Sequence, residues 1–311
     1  MNLRFVEAFY WAVTLKSVTR AAEKLFVTQS ALSSRIAALE TELGVLLLDR
    51  RDKQFRLTIA GNRFHRHAEK LLHLQREIRA ELGSAGERHV SLRLGVIESV
   101  LHSWLVEWVQ SLRREQPALQ LDLTVETTPV LMDQMRRGTL DLIVAALPVQ
   151  GDGVDTRALA PMPMCFVGRQ QALPKAVPPA GSPAGTQGAR KRRPKAVPLT
   201  LAALASEHEL LTFQRGSQPH VALLEACRLS GVESPRVHNI SSISAMVELA
   251  EQGFGVATLP QAAVERLAVH RPLAVLPVDV LLQPLPVHLS WREDPASPIV
   301  GRSVRALLGF R

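Results

Sequence analysis

The chain has 311 residues, of which 46% are hydrophobic and only 5% aromatic, with a formal net charge of +8 and a pI near 10.2. That is enough chain for two or three domains with mainly aliphatic cores, and the basic balance points to a polyanionic partner. Two cysteines, Cys165 and Cys227, lie outside any CxxC or metal-ligand spacing, which argues against a disulfide scaffold or metal module and for a reducing compartment.

The charge is uneven. Residues 1–90 hold 15 basic and 10 acidic side chains, and residues 91–311 hold 22 and 19. Seven of those 22 sit in residues 169–198, which contain no acid. The N-terminal third is therefore basic, and the rest is mildly acidic around one basic insert. The start of the chain lacks the apolar block of a signal peptide. The most apolar late stretch, 272–291, is broken by Pro272, Pro277, Pro284 and Pro286, so no spanning helix is expected there. These features predict a soluble, cytoplasmic, non-membrane protein.

Leu3, Val6, Phe9 and Val13 recur at helical spacing and predict a helix over 2–15. Ser17 can cap a second helix, 18–25, with Ala21, Ala22 and Leu25 turned inward. Val27 plugs the turn and Thr28 caps a third helix. In that helix Leu32, Ile36, Leu39 and Leu43 form the buried stripe. Ser30, Ser33, Ser34, Ala37 and Thr41 fall on the opposite face, with Gln29 at the N-terminal end, Arg35 on the flank and Gly44 as the stop. Two steeply crossed helices joined by a short turn form a helix-turn-helix, whose second helix enters the major groove of double-stranded DNA. Small side chains on the outer face give the clearance this requires. Gln29 suits an adenine edge, Arg35 guanine or phosphate, and Ala37 a thymine methyl.

The stretch LLLDRRDKQFRLT (46–58) reads as a β-hairpin wing, with Arg50, Arg51, Lys53 and Arg56 placed for phosphates or the minor groove. From Thr58 to about Ala85 there is no proline. Phe64, Ala68, Leu71, Leu74, Ile78 and Leu82 make one apolar stripe on an otherwise charged helix. A twin helix from a second subunit is the expected partner, giving a homodimer with two reading helices about one DNA turn, roughly 34 Å, apart or a multiple of it. His65 and His67 are two apart and point different ways, so no metal site is expected.

Further on, strands are expected at Ser91–Ile97, Leu119–Val125 and Asp141–Ala146, with helices over 99–114 and from Thr128-Pro129 to Arg137-Gly138. The alternation predicts parallel sheet. A second lobe begins near Pro163 with a strand at Met164–Val167. Residues 170–198, rich in Pro, Gly, Ala and basic side chains, cannot bury a core face and are expected to be a flexible basic insert. There, Arg190 to Arg193 read either as a solvated insertion or as an extra phosphate-binding arm. Helices at 199–205, 219–230 and 241–252 alternate with strands at 210–213, 236–240 and 256–259. The last strands, 274–277 and 287–291, are expected to return to the first lobe. Gly253-x-Gly255 lacks the third glycine and the strand–helix order of a dinucleotide loop, so it reads as a helix stop.

Residues 1–62 resemble the winged helix-turn-helix of the LysR-type transcriptional regulators. The resemblance is carried by Thr19-Arg20-Ala21-Ala22-Glu23-Lys24-Leu25, Thr28-Gln29-Ser30-Ala31-Leu32-Ser33, Leu39-Glu40, Glu42-Leu43-Gly44 and Leu57-Thr58-Ile59-Ala60-Gly61. Two positions depart from it. The family commonly has proline where Ser30 stands and a basic residue where Ser34 stands, which shifts base or phosphate contact towards Arg35. Met135-Arg136-Arg137-Gly138 to Asp141-Leu142, and Val247 to Pro260, are similar to the family's effector domain.

The resemblance implies an α+β multidomain chain: a winged helix-turn-helix (1–58), a long linker and dimerisation helix (59–88), and a two-lobed α/β effector domain like a type 2 periplasmic binding protein. Lobe I would be 89–162 with 267–311, and lobe II 163–266. It implies a small-molecule effector between the lobes, where strand ends meet helix N-termini. The positions that map there are Glu98, Ser99, Val100, Thr127 and Thr128 from lobe I, and Phe213, Arg215, Ser217, Ser241 and Ile243 from lobe II. Helix-terminal hydroxyls and Arg215 suit an anion, while Glu98 opposes one. The implied partners are DNA, the effector, a second copy, a dimer of dimers and RNA polymerase, with no cofactor and no catalytic residues. A solute-binding protein or enzyme on the same two-lobed scaffold with an accessory N-terminus is the alternative; the pattern at 18–37 speaks against it.

Overall fold

The computed structural model describes residues 1–49, 55–81, 90–151, 153–169 and 199–310. They form two compact units, Met1–Leu159 with Val287–Arg311, and Ala160–Pro286.

The first unit opens with α1 (Leu3–Thr14), α2 (Val18–Lys24) and α3 (Gln29–Leu43). Side chains cap all three: Asn2 accepts from the Arg4 N–H at 2.9 Å, Ser17 from Arg20 at 3.3 Å and Thr28 from Ala31 at 3.2 Å. Gly44 closes α3 at φ +66°, a left-handed conformation that glycine adopts without a Cβ penalty. Val6, Phe9, Trp11, Ala21, Ala22, Leu32, Ile36 and Leu39 form the core, with Leu3, Val13, Leu25, Val27 and Leu43 packed at its margin. The paired alanines let α2 approach its neighbours closely.

The wing follows as β1 (Leu48–Asp49) and β2 (Arg56–Leu57), antiparallel with Leu48 opposite Leu57. Then comes α4 (Ile59–Glu81). The Thr58 hydroxyl caps it, accepting from the Gly61 N–H at 2.9 Å and donating to the Leu46 carbonyl at 2.7 Å. Gly61 is needed here, because a Cβ at this position would stand 2.1 Å from the Leu47 carbonyl oxygen.

The apolar stripe of α4 divides. Phe64 tilts against Phe9 with ring centroids 5.4 Å apart, and Ala68 and Leu72 are buried in the head's own core. Leu72 takes the buried place expected of Leu71, so the packed stripe is offset by one residue. Beyond it Leu74 and Ile78 are 52% and 45% exposed. Leu82 and the remainder of the expected linker to residue 88 lie outside the described residues.

His65 stacks flat on Tyr10, centroids 5.3 Å apart and planes 8° from parallel, and its buried Nε2 has no hydrogen-bond partner. Burial holds its pKa below 6.5, against a weaker opposing pull from Glu69. A base whose folded pKa is depressed adds stability that is whole above its unfolded pKa and is lost as pH falls from there through the folded value. The melting temperature of the head is therefore expected to decline below pH 6.5, the imidazole's unperturbed value. In His65→Phe that part of the decline disappears. Parallel melting curves for the two proteins between pH 7 and 5 would show that His65 contributes nothing to the acid limb.

The chain continues through β3 (Val90–Val96), α5 (Glu98–Val100), a π-helical turn (Leu101–Leu105), α6 (Val106–Glu115), β4 (Leu119–Val125), α7 (Thr128–Arg137), β5 (Leu142–Ala145) and β6 (Asp155–Met162). The second unit holds β7 (Met164–Arg169), α8 (Leu201–Glu207), β8 (Leu210–Thr212), α9 (Gln218–Leu229), β9 (Val237–Asn239), α10 (Ile243–Glu251), β10 (Val256–Pro260), α11 (Gln261–Leu267) and β11 (Leu273–Leu276). The chain returns as β12 (Leu285–Trp291) and α12 (Ile299–Gly309).

The sheet of lobe I runs β4-β3-β5-β12-β6. The sheet of lobe II runs β11-β7-β10-β8-β9. Each has a parallel trio, β4-β3-β5 and β10-β8-β9, extended by antiparallel pairings, so the sheets are mixed rather than purely parallel. In lobe II the strand period of two is visible in the core. Val167, Leu211 and Ala257 pack under α10 and α11, while Phe166, Leu210 and Val256 pack under α8 and α9.

Two expectations are corrected. Strand β11 pairs antiparallel with β7, Ala274 opposite Gly168, so it belongs to lobe II. The return to lobe I accordingly falls at Val287 and not at residue 267. The insert 170–198, with its basic run Arg190 to Arg193, lies outside the described residues.

Candidate nucleic-acid interface and effector positions

On α3 the buried stripe leaves a polar face free. Thr28, Gln29, Ser30, Ser33, Ser34 and Thr41 are exposed, and Arg35 and Ala37 are half-buried on the flanks. The Thr28 and Ser30 hydroxyls lie 3.0 Å apart, and Thr41 donates back to the Ala37 carbonyl at 2.9 Å. The face thus carries short hydroxyls at its N-terminal end, the end a recognition helix turns to base edges. On the wing, Arg56 is exposed at the start of β2. Arg50, Arg51 and Lys53 lie outside the described residues.

Sequence reasoning gave no role to Glu40. It is 5% exposed, and its Oε1 accepts from the backbone N–H of Leu47 at 2.8 Å and of Leu48 at 3.0 Å. One carboxylate thereby fixes the start of the wing to the back of the reading helix. A charged residue beside Leu39 in a buried stripe was the available signal, since acids are rarely buried without partners.

In lobe I the expected effector positions gather at the C-terminal ends of β3 and β4, parallel neighbours joined there by the Glu126 N–H donating to the Val96 carbonyl at 3.1 Å. Glu98 opens α5 and its Oε1 lies 3.3 Å from His102 Nε2. Thr127 is the residue before α7, and the Thr128 hydroxyl accepts from the Ala146 N–H at 3.2 Å, tying α7 to the exit of β5. Ser99 and Val100 are buried, at 2% and 0% exposure.

Lobe II repeats the plan at the ends of β8 and β9, where the Ile240 N–H donates to the Thr212 carbonyl at 2.8 Å. Ser217 caps α9, accepting from His220, and Arg215 and Ser241 are exposed. Phe213 is half-buried, and its carbonyl accepts from Asn239 Nδ2 at 2.9 Å. Ile243, at the start of α10, is fully buried in the core beneath α10 and α11.

His220 was not anticipated. It is almost buried on the first turn of α9, and its Nδ1 accepts from the Gly216 N–H at 3.2 Å. Burial, and then the neighbouring Arg215 charge, hold its pKa below 6.5. Its place three residues after a capping serine was the sequence signal. Among the described residues no group of three His, Cys, Asp or Glu is placed to hold a metal ion. No helix among them is long and apolar enough to cross a membrane.

Two family models together match nearly the whole chain. Residues 3–62 match the family described as the bacterial regulatory helix-turn-helix protein, lysR family, and residues 85–310 match the LysR substrate binding domain. The chain belongs to the LysR family. Among its curated relatives is the HTH-type transcriptional regulator HdfR of Yersinia pestis, 33% identical over 152 residues, 49% of this chain and 52% of that protein. The chain thus aligns with about half the length of the curated relatives it matches.

Among solved LysR-family structures, a full-length OxyR variant from Pseudomonas aeruginosa is 26% identical, with a TM-score of 0.58 over 99% of this chain and 93% of that one. ArgP from Mycobacterium tuberculosis shares the fold at 22% identity and a TM-score of 0.57, covering 97% and 94%. CbnR complexed with its target DNA shares it at 20% identity and a TM-score of 0.52, covering 99% of each chain.

Proposed function

We propose that this LysR-family chain is a sequence-specific DNA-binding transcriptional regulator that works as a dimer and answers a small effector held by its C-terminal domain. The observation that carries DNA reading is the exposed face of α3: short hydroxyls and Gln29 outward, the aliphatic stripe inward and the wing tied behind it. A gel shift with the upstream region of the chain's own gene, at two salt concentrations, tests it. Selective binding that weakens steeply with salt is the expected result. Equal binding to scrambled DNA would remove the reading.

Leu74 and Ile78 support dimerisation along α4. They continue the apolar stripe beyond the point where the head's own core ends, and a helix face of this kind is stabilised by a second helix. Pairing of dimers and contact with RNA polymerase belong to the same reading.

The effector proposal rests on the strand-end positions of each lobe. In lobe II the exposed Arg215 guanidinium stands just before the N-terminus of the 12-residue α9, whose first N–H groups favour negative charge. A carboxylate-bearing effector fits that end. In a thermal-shift screen of small carboxylates, a true ligand at about 100 times its Kd stabilises the fold by ~2.7 kcal/mol. Arg215→Ala is expected to abolish most of that shift and leave DNA affinity unchanged. A shift that survives the substitution removes Arg215 from the site.

A further inference from the structure

Within the first unit, the helix-turn-helix is seated on lobe I. Lys24, the last residue of α2, reaches Asp141 at the entry to β5, with Nζ 2.5 Å from Oδ1. Asp141 is already engaged inside its own lobe: its Oδ2 accepts from Arg93 N at 3.2 Å and Nε at 3.1 Å, and its Oδ1 from an Arg93 terminal nitrogen at 2.7 Å. All three charged side chains are only 9–10% exposed. The Lys24 ammonium also stands 4.6 Å from the centre of the Trp11 ring. Around this cluster, Phe26 in the turn lies under the Arg93 guanidinium at 5.8 Å. Leu15 fills the space beside Gly138, where a Cβ would come within 2.7 Å of the leucine methyl.

Arg93 already pairs with Asp141 inside lobe I, and the buried Asp294 carboxyl of the same lobe also feels the Lys24 charge. A third ion drawn from another domain into a desolvated cluster is favourable only in one relative pose, because a buried ammonium without its carboxylate is heavily penalised. Burial alone would push the Asp141 carboxyl up, but the Arg93 hydrogen bonds and the Lys24 charge outweigh it and hold it below its ordinary value. The contact is therefore a latch with one register, unlike a greasy patch that tolerates sliding.

Its two ends are informative. Lys24 is four residues before Thr28, the cap of the reading helix, and Phe26 between them holds a left-handed φ of +54°. Arg93 and Asp141 lie on β3 and at the entry to β5, whose far ends lead to Glu98 and to the Ala146 N–H bonded to Thr128. The three strand steps from Arg93 to Val96, the end of β3, span roughly 10 Å at about 3.3 Å each, and Glu98 follows two residues on. The reading face remains exposed in the seated state, since Gln29, Ser30, Ser33 and Ser34 all face solvent.

We propose that Lys24 and the Arg93–Asp141 pair latch the reading head to its own lobe I, and that strands β3 and β5 link the effector positions to the pose of α3. This rests on the regulator reading above and adds a route by which one lobe biases DNA binding, reciprocally, as linkage requires.

Hydrogen exchange on the full-length chain tests the latch without DNA. Lys24→Met is expected to speed exchange by about tenfold on both sides of the contact, in residues 14–28 and 138–141. Residues 32–39 of α3, protected by the head's own core, stay unchanged, and Lys24→Arg retains most of the protection. Unaltered exchange at 138–141 in Lys24→Met overturns the latch. A second arm adds a duplex of the chain's own upstream region. In the wild type, occupancy of α3 is expected to alter exchange in residues 90–93 and 138–141 of lobe I. In Lys24→Met it alters only the head. An identical lobe I response in both overturns the coupling, whereas a chain that binds no duplex fails the regulator reading and leaves the first arm to decide the latch.

Discussion

The double variant Ser30→Arg with Ser33→Arg is expected to keep its fold and lose its preference for its own operator, the ratio of specific to random-DNA affinity falling by about 100-fold or more. Both serines are exposed on α3, and arginine is a better helix former than serine, so stability changes little. The Thr28 cap to the Ala31 N–H survives; only the Thr28–Ser30 hydroxyl contact goes. What changes is clearance. Two long side chains hold the helix away from base edges, and each misfitted base contact costs about 1–3 kcal/mol. The same arginines find phosphates on any sequence, so binding to random DNA strengthens at low salt and its log–log salt slope steepens by about 0.9 for each phosphate neutralised. Competition gel shifts with operator and scrambled duplexes separate the two effects. An unchanged ratio would mean that α3 is not the reader. Gln29→Ala is a useful companion, because it takes away the proposed adenine contact without touching clearance and should cost a single base-pair preference.

The helix-turn-helix was legible because its rules are local. Ser17, Thr28 and Gly44 mark helix ends through bonds to residues at most four away, and the stripe Leu32–Ile36–Leu39 follows the helical period. Strands β3 and β4 showed their period of two, and Pro129 with Gly138 bracketed α7. Elements whose burial pattern is one-sided or late were missed. Strand β6 is exposed at most of its positions, so it carries no apolar alternation. Helices α11 and α12 were overlooked in apolar, proline-punctuated sequence. The pairing of β11 with β7 joins residues about a hundred apart, and nothing in either strand states its partner.

The candidate sites show the same division. The outward face of α3 could be counted off in steps of 100°, but whether Val100 and Ile243 face a ligand or a core depends on helices packed from elsewhere in the chain. Position along a motif fixes where a backbone goes before it fixes where a side chain points. Lys24 and Asp141, 117 residues apart, are each ordinary surface charges until the fold brings them together.

Glu40 supplies the second large effect. Replacing it with alanine removes the acceptor shared by the Leu47 and Leu48 N–H groups, in a place where the residue is 5% exposed and little water can substitute. An orphaned buried donor costs about 1–3 kcal/mol, so two together put the expected loss near 3 kcal/mol, against a gain of a few tenths from alanine's helix propensity. Glu40→Gln keeps a carbonyl oxygen at the same reach but forfeits charge, and charged acceptors bind roughly twice as strongly as neutral ones. The expected order of stability is therefore wild type, then glutamine, then alanine. The damage should also be directional. Leu48 pairs with Leu57 across the wing, and Thr58 donates to the Leu46 carbonyl, so freeing residues 47 and 48 loosens β1, β2 and the placement of Arg56 together. Urea unfolding and amide exchange at Leu47 and Leu48 measure the two consequences separately. If Glu40→Ala stays within about 0.5 kcal/mol of the wild type, the scale of a neutral surface change, with both amides still protected, the carboxylate is not what joins the wing to the reading helix.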